Sequence, residues 1–425
     1  MLAVTGYAIP INQTNAGNSV LDHFSNHGDP NLVCTPSTKV SIVLFLFTNY
    51  LAHCATVVSY PGETGRSSGI SGVLALFFPA SGIIKAMNAL IRRPRLFGKN
   101  EVETATRAGA LVMVVRDEHE KTDDEWHLWP QAEWLKMYRP LWMRDHLPVI
   151  EKSMPMLPPA AKHFFSIHGI YRLPPGYRFA PVPSDAKIEV GPKNDEKDAD
   201  AKIDVSYSYN FAKTALALLQ TVSAGATLYR TRGNQIAIYG YSAFGLTVAP
   251  YLVMSIVNGL AQMVMPQYPR LYMVWSSEMD EAKKRGGHFD SIIGRLSDPK
   301  ETSTCTATFK EIDGSLKFSI TENPIAVVGL VSVAIIGALT GFRHGQSTRA
   351  QRAWILLWFS FGAAFGSLGP TITRLFVRSL ERKGMHKWFG LVTVAITFGL
   401  FFVPAIGGFV VVIQMLNEYG TCIRP

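Results

Sequence analysis

Charge is missing where a soluble chain needs it most. Seven stretches (40–60, 69–91, 211–230, 236–264, 325–342, 353–373 and 388–416) hold only Lys85, Lys213 and Arg230, although the chain has 41 Lys+Arg and 32 Asp+Glu. A surface helix of a soluble protein turns one polar face to water, whereas a bilayer span is apolar nearly all round. Cysteine is scarce too. Cys34, Cys54, Cys305 and Cys422 form no CxxC pair, which excludes a disulfide scaffold and gives no basis for a structural zinc site. Residues 1–39 lack the basic start and long apolar core of a signal peptide, so targeting is expected to fall to the first apolar stretch. A P-loop, a dinucleotide fingerprint, an HExxH and a kinase set are all absent. Gly240-Tyr-Ser242-Ala-Phe-Gly245 approaches a nucleophile elbow, but its second glycine comes one residue late. The expectation is a protein that is not an enzyme, with no catalytic residue, cofactor or metal.

What is there points to lipid. The net charge of +9 would suit nucleic acid in a soluble protein, but here basic residues flank apolar stretches, as in Arg92-Arg93-Pro94-Arg95. The expected partner is a lipid bilayer and not nucleic acid, in the plasma membrane or an endomembrane. The fold class expected is an all-α membrane protein of about seven transmembrane helices, with a small α/β soluble cap made by the tail and long loops. Its parts are a polar tail (1–39), a transmembrane hairpin (40–91), a soluble insert (92–210) and a second hairpin (211–264). A soluble loop (265–324), three further spans (325–416) and a short tail (417–425) complete it. Within the insert, 105–115 is too short to span, and Trp126, Trp129, Trp134 and Trp142 among Lys136, Arg139 and Arg144 suit either an interfacial helix or a small soluble core built on Trp. In the loop, 305–320 alternates around Asp313-Gly314, the pattern of a β-hairpin. Pro250 and Pro404 predict kinks in the fourth and seventh spans. Gly337/Gly341 and Gly362/Gly366 are GxxxG pairs, which would let helices pack closely, including between copies in a homo-oligomer.

With seven spans, the N-terminal tail, the insert, the loop and 374–387 share one side. The short connections 61–68, 231–235 and 343–352 and the last nine residues then hold Arg66, Arg230, Arg232, Arg343, Arg349, Arg352 and Arg424 against Glu63 and Glu418. The positive-inside rule would put that bare side in the cytosol and the cap outside. Asn12 in Asn12-Gln13-Thr14 is then a candidate glycosylation site, and Cys34 and Cys305, on one face, a candidate disulfide.

Two motifs carry a resemblance: Gly28-Asp-Pro-Asn-Leu-Val-Cys-Thr-Pro36, and Leu228-Tyr-Arg-Thr-Arg-Gly-Asn-Gln-Ile-Ala-Ile-Tyr-Gly-Tyr-Ser-Ala-Phe-Gly-Leu-Thr-Val-Ala-Pro-Tyr251. They resemble a family of uncharacterised multi-pass membrane proteins of filamentous fungi. The resemblance implies a membrane location and supplies no activity and no catalytic residues.

Polar groups inside apolar stretches are the first candidates for function, because each is costly in lipid unless paired. Asn49 and His53 lie four apart, as do Asn258 and Gln262, while Lys85 and Asn88 sit on the second stretch. If these helices meet, the six residues would line an intramembrane polar path for a small solute or ion. The plainer reading is that Lys85 snorkels and the amides tie helices together. His23 and His27 have helical spacing beside Asp22 and Asp29, but Pro, Gly and Asn crowd that stretch, so no metal site is argued there. A transporter, a seven-helix receptor and a membrane scaffold all remain open, with the ligand unknown.

Overall fold

The computed structural model describes residues 27, 31–92, 94, 96–98, 100–116, 165–183, 186–189, 205–296, 324–364 and 385–423. The Trp-rich segment, the 305–320 hairpin pattern, Asn12 and Cys305 lie outside them.

Helix α1 (Lys39–Cys54) starts where the Thr38 hydroxyl accepts from the Ser41 N–H at 3.1 Å. It widens into a π turn at Phe47–Leu51. The second apolar stretch is not one span. Phe78 breaks it into α2 (Gly65–Phe77) and α3 (Pro79–Ile91), with Pro79 opening the second helix. At 1.5 Å per residue each is roughly 20 Å long, short of the ~30 Å hydrocarbon layer. The two run back along each other: Gly82 packs on Ala75, and Lys85 donates to Ser71 (3.0 Å). The stretch is therefore a hairpin that leaves by the end it entered. Its tip would expose the last carbonyls of α2, and two side chains cover them. Trp358 Nε1 donates to Phe77 O (2.8 Å) and Tyr251 Oη to Leu76 O.

Helix α5 (Phe211–Thr231), capped by Asn210, packs along α7 (Ala249–Val264), where Gly259 meets Ala217. Between them lie α6 (Asn234–Tyr239) and two 3-10 turns, Gly240–Ser242 and Phe244–Val248. Pro250 thus opens α7 after a broken segment and does not kink a continuous helix. Helix α9 (Pro324–Thr340) leads into α10 (349–364), and α11 (Met385–Tyr419) keeps Pro404 inside a continuous 35-residue helix. Helices α10 and α11 are antiparallel. Trp354 and Trp358 lie against Gly407 and Gly408, and the rings of Phe361 and Phe401 are 5.8 Å apart. Gly337 of the first GxxxG pair is covered by the chain's own Phe342 ring, so it offers no bare surface to a second copy.

The inserts build a sheet. Helix α4 (Glu101–Ala108) begins at the Asn100 cap and ends at Gly109 in the left-handed conformation. Strand β2 (Leu111–Arg116) follows at once, so the run 105–115 is the end of a helix and then a strand. With β4 (Tyr177–Pro181), β5 (Ile188–Glu189), β6 (Tyr272–Trp275) and β8 (Ile292–Leu296) it forms a five-stranded mixed sheet, ordered β4-β2-β6-β8-β5. The central β2, β6 and β8 are parallel. Helix α8 (Ser277–Lys284) lies between β6 and β8, and β3 (Tyr171–Arg172) pairs with β7 (His288–Phe289). Leu111, Met113, Val274 and Ile293 face Ala86, Ala89, Ala261 and Met265 of the helices. Val112, Val114 and Met273 pack on Met279, Ala282 and Phe179 behind.

The expected all-α bundle of about seven transmembrane helices is therefore overturned. A mixed α/β body replaces it, and among the described residues only Phe244–Val264 and Gly399–Tyr419 are long and apolar enough to cross a membrane. The two ends of the helical body also disagree with an odd count. Strand β1 (Val33–Thr35) pairs with β9 (Thr421–Ile423), and Cys34 is disulfide-bonded to Cys422, not to Cys305. The start of α1 and the end of α11 thus share one end, and the chain traverses the helices an even number of times. The sheet sits at the opposite end, where Gly62 N donates to Tyr268 O (2.8 Å) and Ser208 pairs with Gln267. Among the described residues, the end of the tail (31–39) and the sheet lie at opposite ends, contrary to expectation.

Candidate functional site

Two buried polar clusters lie between α1, α3 and α7. In the first, the last turn of α1 meets the middle of α7. His53 Nδ1 is 2.6 Å from Ser255 Oγ, and Thr56 Oγ1 donates to His53 O at the same distance. Asn258 Oδ1 accepts from Val58 N–H (2.9 Å) while its amide donates to Met254 O (2.7 Å). Gln262 Nε2 donates to Thr56 O (2.6 Å). These amides satisfy the carbonyls and N–H groups freed where α1 stops inside the protein. His53, Ser255 and Asn258 have no exposed surface. Two atoms are left over: His53 Nε2 and Gln262 Oε1 are buried without a hydrogen-bond partner. An orphaned donor or acceptor typically costs about 1–3 kcal/mol, so its retention calls for an explanation.

The second cluster closes the open end of the α2–α3 hairpin. Lys85 donates to both oxygens of Glu63 at 2.8 and 2.7 Å, with side-chain exposures of 9% and 2%. Glu63 also accepts from Tyr60 N–H (2.7 Å), Ser67 (2.9 Å) and Ser71 (3.2 Å). The Tyr60 ring lies 4.8 Å from the ammonium, and Lys213 of α5 donates to Ser59 Oγ (3.3 Å) on the same connection. Gly82 packs on Met254, the neighbour of Ser255. Lys85 follows one turn along α3, roughly 4.5 Å nearer the sheet, so the clusters occupy adjacent levels. Beyond them, burial pushes the Tyr268 phenol well up, and the nearby phenols of Tyr207, Tyr209 and Tyr272 add to the shift. Tyr268 is neutral at physiological pH and cannot act as a base.

Of the six residues expected to form one polar path, His53, Asn258 and Gln262 come together and Lys85 sits one level away. Asn88 makes only a long contact to Tyr60 Oη (3.5 Å). Asn49 is elsewhere: it accepts from Thr227 of α5 (2.8 Å) and donates to Phe45 O (3.0 Å). Asn49 thus meets α5 while His53, one turn on, meets α7. Sequence reasoning missed Glu63, Thr56 and Ser255. Glu63 had a signal, being the one acid on the short connection between two apolar stretches.

The outer faces are apolar. Val40, Val43, Leu44, Phe47 and Leu51 of α1 are exposed, as are Leu218, Leu219 and Val222 of α5. Ile396, Leu400, Val403, Ile406 and Val410 continue the surface along α11. Compared with protein-family models, curated proteins and solved structures, the chain finds no match.

Proposed function

We propose that the protein is a multi-pass protein of the plasma membrane or an endomembrane, and that its helical body conducts protons or couples a small ion to proton movement. The carrying observation is two orphaned atoms, His53 Nε2 and Gln262 Oε1, buried in a helical body that also encloses the Glu63–Lys85 pair. An extended aliphatic exterior, over an apolar core that also encloses an ion pair and a histidine, suits lipid. The α2–α3 hairpin adds support, since short re-entrant helices are tolerated in membranes where protein covers their ends. An imidazole with one nitrogen fixed on a hydroxyl and the other unpartnered can take up and pass a proton.

The test is reconstitution into liposomes holding a pH-sensitive dye, with proton entry driven by a potassium diffusion potential. Wild-type vesicles are expected to acidify faster than empty ones. His53→Leu should abolish the difference, and Ser255→Ala, which keeps the imidazole, should retain part of it. Wild-type vesicles no leakier than empty ones, or a His53→Leu variant as fast as wild type, would overturn the proposal.

A further inference from the structure

The two chain ends meet in more than a disulfide. Antiparallel pairing of β1 and β9 places Cys34 opposite Cys422, and His27 completes a group whose ligand atoms all lie within 4.8 Å of one another. His27 is fixed by several contacts of its own. Its Nε2 is 2.8 Å from Tyr419 O, its ring stacks on Tyr419 at 4.7 Å, and its carbonyl accepts from Asn234 Nδ2 (3.0 Å). A disulfide needs no imidazole beside it. A thiophilic metal does, and a ligating histidine characteristically donates its other N–H to a backbone carbonyl. Tyr419 O can only accept, so Nε2 carries the proton in this contact and Nδ1 is the ligand atom of the site.

Charge at this end adds an independent argument. Its described residues include Lys39, Arg230, Arg232, Arg343, Arg349 and Arg352 against Glu418. On the bilayer reading above, such an excess on short connections marks the cytosolic face, which is reducing and where permanent disulfides are rare. We infer that His27, Cys34 and Cys422 form a redox-gated site for a thiophilic ion, Zn(II) or Cu(I), open when the cysteines are reduced and closed by their disulfide. In the opening step a dithiol supplies two electrons and two protons. The Cys34–Cys422 bond breaks to two thiols, and the dithiol leaves as its own disulfide. Binding of Zn(II) then displaces both thiol protons to solvent, forming two sulfur–metal bonds and one nitrogen–metal bond, with water in the fourth position. Cys34 is buried while Cys422 is partly exposed, so the ion enters from the Cys422 side.

The experiment uses the full chain in detergent, either oxidised or reduced with dithiothreitol and freed of it, titrated with Zn(II) alone against a chromogenic chelator. Reduced protein is expected to bind stoichiometric zinc and oxidised protein none, a comparison that needs no substitution. Cys422→Ser should abolish binding, and His27→Ala should weaken it by about tenfold or more. Cobalt in place of zinc should give a thiolate-to-metal charge-transfer band that disappears on oxidation. Equal binding by both redox states, no binding by reduced protein, or an unchanged His27→Ala affinity would overturn the site. None of these readouts depends on proton flux or on a bilayer, so failure of the transport proposal would leave them unchanged.

Discussion

Glu63→Gln removes one charge from the base of the α2–α3 hairpin and keeps the side chain's shape. In the native protein the carboxylate accepts from the Tyr60 N–H, the Ser67 and Ser71 hydroxyls and the Lys85 ammonium, the last at 2.7 and 2.8 Å. After the change, Lys85 can still donate to the amide oxygen and to the Ser71 hydroxyl at 3.0 Å beside the Tyr60 ring at 4.8 Å, but no anion balances its charge in a site where its side chain is 9% exposed. Breaking a buried pair from one side costs about 3–5 kcal/mol, because a charge is left without compensation. Lys85→Met should cost less, toward the low end of that range, since Glu63 retains three neutral donors. The double variant Glu63→Gln/Lys85→Met leaves no orphaned ion, so its loss should fall well below the sum of the single losses. Tryptophan fluorescence through denaturant unfolding in detergent reads all three. Glu63→Gln within about 0.5 kcal/mol of wild type, the behaviour of an exposed side chain, would refute the reasoning and with it the closed hairpin.

Two packing predictions accompany it. Asn258→Leu orphans the Val58 N–H at the end of α1 and should cost about 1–3 kcal/mol, measured by the same unfolding assay. Gly408→Val would place a side chain in the Trp358 ring and should destabilise by about 1–3 kcal/mol, whereas Gly399→Val, with open space around it on the same helix, should be near neutral. Equal melting of the two glycine variants would contradict the α10–α11 pairing.

The helices were legible because their signal is local. Uncharged runs long enough for several turns persist whatever packs against them, and α1, α5, α7, α9 and α11 fall where they do. The hairpin was written in Phe78-Pro79 but masked by apolar residues on both sides, which made two short helices read as one span. The sheet was illegible for a different reason. Strands such as Leu111–Arg116 and Tyr272–Trp275 are buried on both faces, so they lack the alternation that reveals a strand beside water. Half of the polar site was visible as amides and a histidine within apolar stretches. The other half, Glu63 with Ser255 and Thr56, depends on which helices touch. The Cys34–Cys422 pairing spans 388 residues and could not have been preferred over Cys34–Cys305 from spacing.

Even parity also changes which charges decide the orientation of a bilayer-embedded body. Glu63 and Arg66, counted with the bare side when seven spans are assumed, belong to the sheet end, since Glu63 pairs with Phe165 beside the sheet. Taking away one base and one acid leaves the net excess unchanged, and the terminal end keeps Arg230, Arg232, Arg343, Arg349 and Arg352 against Glu418. On the bilayer reading proposed above, the positive-inside rule would turn that end to the cytosol and the sheet to the other side. The tail that enters at His27 goes with it, so Asn12 should carry no glycan. A glycosylated Asn12 would place the terminal end outside, in an oxidising compartment where the Cys34–Cys422 bridge is permanent and its metal site stays closed. A glycosidase shift assay on the same preparation used for the zinc titration therefore decides whether the site opens in the cell, whatever the protein binds once reduced in vitro.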